Sequence, residues 1–140
     1  MGLLSFFDST FGGKARDVSD SHGLPVQLTG SKVEDITFHD AATVAADGTV
    51  FTVGGYKTLT IEIYGTSTSK TLAFMGVGPG GTAHAIMGVK LDTLATATTS
   101  VGTVVTPEFW QFDITGLTSV IMDLTAIANG NVTVKGKAVA

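Results

Sequence analysis

Cysteine is absent from this 140-residue chain, which removes disulfide staples, thiolate nucleophiles and cysteine-ligated zinc together and leaves the redox compartment open. Charge is also scarce. Charged residues make up 14% of the chain, against roughly 25% in an ordinary soluble domain. The surface must therefore be built from Thr, Ser, Gly and Ala, or be covered by other chains. The net charge of −4 and a single arginine, Arg16, argue against a nucleic-acid partner, because phosphate-binding surfaces gather Lys and Arg on one face. No run approaches the roughly 20 apolar residues of a membrane span, so no membrane partner is expected. The N-terminus lacks a basic stretch and a small-residue cleavage site, which argues against a signal peptide. Met1-Gly2 fails as a myristoylation start because Phe6 stands where Ser or Thr is needed.

What the chain has in abundance is threonine, 22 residues of it, and β-branching at that frequency suits pleated sheets better than helices. Residues 56–64 read YKTLTIEIY, with Leu59, Ile61 and Ile63 on one face and Thr58, Thr60 and Glu62 on the other. Residues 108–114 put Trp110, Phe112 and Ile114 on one core-facing side. Residues 120–126 alternate Val120, Met122, Leu124 and Ala126 against Ile121, Asp123 and Thr125. Asn129-Gly130 supplies the dihedrals of a tight hairpin leading into Val132 and Val134. Further strands are expected over 33–38, 50–53, 71–77, 83–90, 94–98 and 102–105, separated by turn residues such as Ala46-Asp47-Gly48. Short strands at this spacing predict an all-β protein, an antiparallel β-sandwich of the jelly-roll or Ig-like kind, over residues 33–140.

Residues 1–32 lack that rhythm and are expected to form an extended N-terminal arm. Their apolar content is bunched as Leu3, Leu4, Phe6, Phe7 and Phe11, followed by Gly12-Gly13, Lys14 and Arg16. Leu3, Leu4, Phe7 and Phe11 approximate one face of a short helix, which needs a partner to persist in water. Burying each phenylalanine is worth roughly 1.5–3 kcal/mol. The arm thus reads as a clamp on another chain, with Lys14 and Arg16 at the rim; the alternative is that it folds back over its own sandwich.

Signals for chemistry are weaker. His22, His39 and His84 have no partner at metal-ligand spacing, and His39 precedes a turn. Glu34 and Asp35 are neighbours in a strand and point to opposite faces, so they cannot share a proton as a catalytic dyad. Residues 76–81, GVGPGG, lack the Gly-Lys-Ser/Thr and helix of a phosphate loop and read as a hairpin loop. No cofactor, metal or enzymatic activity is expected. Val77 and Pro79 of that loop are candidate contacts, and Tyr56 and Tyr64, in phase with Glu62, are expected to be exposed. Together they raise a carbohydrate-binding option.

Three stretches carry a resemblance: Gly55-Tyr56 opening a strand, the Gly-rich loop of residues 76–81, and Gly116-Leu117-Thr118-Ser119-Val120 before the final strands. In this order the chain resembles the small β-sandwich domains of tailed-bacteriophage virion proteins, found in capsid decoration (cement) proteins, head fibres and tail accessory proteins. The lead-in HGLPVQLTGS, residues 22–31, is similar to segments of phage structural proteins. The resemblance implies a non-enzymatic, multicopy role on the virion, favouring the capsid exterior, with the major capsid protein or other virion subunits as partners and a homo-oligomer, a trimer favoured. A neck, tail or fibre-base protein is the structural alternative, and a glycan-binding module for host adsorption the functional one.

Overall fold

The computed structural model describes residues 32–140. The expected anchoring residues Leu3, Leu4, Phe6, Phe7, Phe11, Lys14 and Arg16 lie outside the described residues, as does His22.

Eleven strands, β1 (Val33–Ala42), β2 (Phe51–Thr52), β3 (Thr58–Gly65), β4 (Ser69–Val77), β5 (Ala83–Ala85), β6 (Gly88–Lys90), β7 (Thr96–Ala97), β8 (Thr99–Gly102), β9 (Glu108–Asp113), β10 (Ser119–Ala128) and β11 (Val132–Val139), form two antiparallel sheets. The first runs β1-β11-β3-β9-β6-β7 and the second β2-β10-β4-β5, with β8 also pairing β4. β5 and β8 share one edge of β4, β5 along its last residues and β8 along its first. This is the all-β antiparallel sandwich that the two-residue periodicity predicts.

The inward residues of every long strand meet in one core. Leu59, Ile61 and Ile63 of β3 and Trp110 and Phe112 of β9 face Leu72 and Phe74 of β4 and Val120, Met122 and Leu124 of β10. Phe74 ties the sheets together, its ring centroid 5.0 Å from Trp110 and 4.8 Å from Phe112, the latter edge-on as the ring quadrupoles prefer. Gly88 is required here: a Cβ would sit 2.5 Å from the Phe112 ring.

The connections depart from the sequence expectation. Asn129 and Gly130 do take positive φ, 56° and 125°, but they join no hairpin. β10 is bonded to β2 and β4, and β11 to β1 and β3. The turn carries the chain from one sheet to the other, because the apolar faces of β10 and β11 bury against each other across the core rather than side by side. Ala46-Asp47-Gly48 likewise lies between strands of different sheets. Residues 83–90 form two strands, not one; the chain changes sheets at Ile86 and Met87 between β5 and β6. The strand expected over 102–105 is displaced to β8, Thr99–Gly102, although Val104 is still buried. Hairpins do occur at β4–β5, where the Gly-rich loop was expected to make one, and at β6–β7.

His39 does not precede a turn. It lies within β1, where the register against β11 shifts between Thr37 and His39. The extra residue at this bulge lets both Phe38 and His39 face inward. His39 Nε2 donates to the Met122 carbonyl at 2.6 Å, joining β1 of one sheet to β10 of the other. Gly48 packs on that imidazole with φ +78°; a Cβ there would be 2.6 Å from both His39 Nε2 and the Phe38 carbonyl oxygen.

Candidate functional site

The aromatic and loop residues expected to make one recognition site are divided by the fold. Thr118 donates its backbone N–H to Val77 O and accepts from Val53 N, and Tyr56 N in turn donates to Val53 O. This chain of bonds sets Tyr56 and the loop carrying Val77 and Pro79 at the same end of the sandwich. Pro79 is exposed and Val77 half-buried at the end of β4. Gly81 closes the loop by donating to Gly78 O at 2.9 Å. Tyr64 lies at the far end of β3, eight residues from Tyr56, so about 26 Å of extended chain separates the two rings. They cannot grip one ligand.

Tyr56 is also less exposed than its phase suggested, because it sits in the loop before β3, where the alternation does not reach. Its ring packs 5.8 Å from that of Phe51, with Lys32 Nζ 5.9 Å from its centre. Desolvation, and then the neighbouring Glu34 carboxylate, push its phenol above the ordinary value. Tyr64 keeps the outward phase, opposite Thr133, and is half-buried. Glu34 and Asp35 diverge as expected: Glu34 pairs with core-facing Ala138, Asp35 with outward Lys137. His84, in β5, is exposed.

A polar cluster escaped the sequence reading. Lys70 of β4 has a side chain fully shielded from solvent, and its Nζ donates to Ser100 Oγ at 2.7 Å and to Glu108 Oε2 at 3.3 Å. Ser100 Oγ donates to Glu108 Oε1 at 2.6 Å, and Trp110 Nε1 donates to the same oxygen at 2.9 Å. Burial pulls the Lys70 ammonium below its ordinary value against the opposing charge of Glu108. Burial raises the Glu108 carboxyl, but hydrogen bonds from Ser100 and Trp110 and the charge of Lys70 outweigh it and hold the group low. A serine between a lysine and a carboxylate invites a nucleophilic reading. Ser100, however, is 3% exposed, and its proton is engaged by Glu108. The cluster bolts β4 and β8 of one sheet to β9 of the other. A signal was available: Lys70 is in phase with Leu72 and Phe74, and Glu108 with Trp110 and Phe112, so both charges fall on core faces.

The two outer sheet faces differ in chemistry. On the six-stranded sheet, cross-strand rows bring Asp35, Lys137, Thr60 and Gln111 together, and beside them Thr37, Lys135, Glu62 and Phe109. On the five-stranded sheet, the outward rows are Ser119, Val77 and Ala83; Ile121, Met75 and Ala85; Asp123, Ala73 and Thr99; then Ala126, Thr71 and Val101. Asp123 is the one charge among the described residues of those rows. Its carboxyl is raised by desolvation first and by neighbouring Asp47 second. Val101, on edge strand β8, is 69% exposed.

By class, then, this is a two-sheet antiparallel β-sandwich with one charged and one nearly uncharged outer face. Its family is shown by comparison: the XepA family profile matches residues 32–138, and the chain belongs to that family. YqxG of Bacillus subtilis (strain 168) is 45% identical over 111 residues, which are 79% of this chain and 36% of that protein. YomS, an SPbeta prophage-derived protein of the same organism, is 38% identical over 100 residues, 71% of this chain and 81% of that one. The crystal structure of YomS superposes with a TM-score of 0.74 over 82% of this chain and 99% of that chain, at 35% identity. XepA, a protein of the phage-like element PBSX, is 34% identical over 121 residues, 86% of this chain and 42% of that protein. The crystal structure described as PBSX exported protein XepA gives a TM-score of 0.76 at 31% identity, over 92% of this chain and half of that one. The chain therefore spans about a third of YqxG, less than half of XepA and most of YomS. XepA and YomS belong to the phage elements PBSX and SPbeta, which supports a phage-derived protein.

Proposed function

We propose that this chain is a non-enzymatic structural module of a phage element, one that works by holding on to other phage subunits. The nearly uncharged outer face of the five-stranded sheet carries this reading, because a flat surface of Ala, Thr, Val, Met and Ile gains by leaving water against a matching protein surface. Capsid decoration is the particular role we favour, with residues 1–32 as the second point of attachment. Two weak contacts on one chain multiply into firm binding when geometry lets both engage. The XepA family membership supports the phage setting, and the scarcity of charge supports multicopy assembly.

The test is sedimentation of particles from an induced lysogen, followed by immunodetection of this protein. Co-sedimentation with intact particles, lost when Ile121 and Met75 are both changed to Lys, is the expected result. Recovery of the protein wholly in the soluble fraction refutes virion attachment. A second reading draws on the description of XepA as exported: the module acts outside the producing cell, free of the particle. The soluble outcome of the same experiment would favour it.

A further inference from the structure

The outer face of the six-stranded sheet holds an open trough of about 470 Å³ whose polar lining is Asp35, Thr60, Glu62, Lys135 and Lys137, with Phe109 among its apolar residues. That volume lies within the roughly 300–1,000 Å³ of small-ligand sites. The strand order explains its form. Thr60, on β3, is a short side chain set between long neighbours, Lys137 of β11 on one side and Gln111 of β9 on the other. Thr60 therefore lies on the floor, with Lys137 as one wall. At the β9 end stands Phe109, 47% exposed and directly opposite Glu62 of β3. Its strand neighbours Glu108 and Trp110 point inward to the buried cluster, which holds the backbone at Phe109 in place.

We propose that this trough binds an uncharged oligosaccharide, with Phe109 as the platform on which one sugar ring stacks. Three observations select that ligand class. The lining charges cancel, two carboxylates against two ammonium groups, which gives no net attraction to a polyanion or polycation. The lining mixes hydrogen-bonding side chains with apolar surface from Ile61, Gly136 and Val139 as well as Phe109, which suits a ligand that carries both hydroxyls and an apolar C–H face. A sugar ring is one of the few solutes with an apolar C–H face and a polar rim, and a single aromatic beside Glu62, Lys135 and Thr60 matches both. Lys137 Nζ lies 3.4 Å from Asp35 Oδ1, and Gln111 Nε2 donates to Thr60 Oγ1 at 3.3 Å, both at the solvent-exposed surface of the face. From β1 to β9 the trough crosses three interstrand gaps, about 14 Å, long enough for a short oligosaccharide laid across the strands. This site is separate from the Tyr56, Tyr64 and Pro79 surface that the sequence suggested for glycans, and it does not depend on virion attachment.

The experiment is amide NMR titration of the full chain with cellotetraose, maltotetraose and chitotetraose. At least one of the three is expected to move amides of β3, β9 and β11 saturably, with a dissociation constant near or below about 1 mM. Phe109→Ala is expected to weaken that binding about tenfold, the effect of losing roughly 1.4 kcal/mol. Phe109→Trp, with a larger platform, retains or tightens it, and Lys135→Ala weakens it. These two variants keep the comparison readable if Phe109→Ala fails to fold. Absence of saturable shifts with all three sugars overturns the proposal. So does unchanged affinity in the Phe109→Ala or Lys135→Ala protein, or shifts confined to residues 76–81.

Discussion

Glu108→Gln isolates the charge of the buried cluster while preserving its shape and an acceptor for Trp110 and Ser100. It leaves the Lys70 ammonium with no counter-charge inside the sandwich, where its side chain has no contact with water. Removing one partner of a buried ion pair costs about 3–5 kcal/mol. The reciprocal change, Lys70→Met, strands a carboxylate whose side chain is still 12% exposed and still receives hydrogen bonds from Ser100 and Trp110. Its cost is therefore smaller, about 1–3 kcal/mol. The double variant Lys70→Met/Glu108→Gln should lie closer to the parent than Glu108→Gln alone, because no charge is then left unpaired. Urea unfolding followed by the fluorescence of Trp110, the single tryptophan, and by far-UV circular dichroism measures all three. At about 3–4 °C per kcal/mol for a domain near this size, Glu108→Gln should also lower the melting temperature by about 10 °C or more. A loss under about 1 kcal/mol for Glu108→Gln, or a greater loss for Lys70→Met, would refute the reasoning, since the pair would then be solvated or energetically idle.

Other consequences are open to measurement. Because the folded-state pKa of Glu108 is depressed, its contribution to stability is present above the ordinary glutamate range, near about 4.3, and is lost as pH falls through the lower folded value. Urea midpoints of the parent should thus fall on acidification below that range, and Glu108→Gln should flatten the decline. Asp123 has the opposite sign: its raised pKa means stability is lost as pH rises from the ordinary aspartate range to the folded value. Asp123→Asn should accordingly raise the urea midpoint at pH 7 and leave it unchanged in acid; an equal gain at both would exclude relief of a charge penalty, desolvation first and Asp47 second. Gly48→Ala forces a side chain into positive φ and against His39, and a loss of about 1–3 kcal/mol in thermal or urea melts is expected. Gly88→Ala drives a methyl group into the Phe112 ring and should cost about 1–3 kcal/mol in the same assays.

The strands were legible because burial on one face writes a two-residue alternation directly into the chain. Leu59, Ile61 and Ile63, then Trp110, Phe112 and Ile114, then Val120, Met122 and Leu124 are all buried as their phase requires. The turn chemistry was legible too, since positive φ at Asn129 and Gly130 is a local property of the backbone. The surface site was not. The residues that matter there, Asp35, Glu62, Phe109 and Lys135, come from four strands far apart in the chain, and only pairing across β11, β3 and β9 sets them side by side. The arm residues from Leu3 to Arg16 lie outside the described residues.

By itself, then, the sequence determined which segments are extended, which of their faces is apolar and where the chain reverses, because each of these follows from residues within a few positions of one another. Which strand lies beside which was decided only in three dimensions. An Asn-Gly turn bends the chain equally well into a hairpin or across to a second sheet, and here the burial of β10 against β11 from opposite sheets chose the crossing. The same choice brought Lys70 to Glu108 across the core and left Phe109 facing outward over a row of polar side chains.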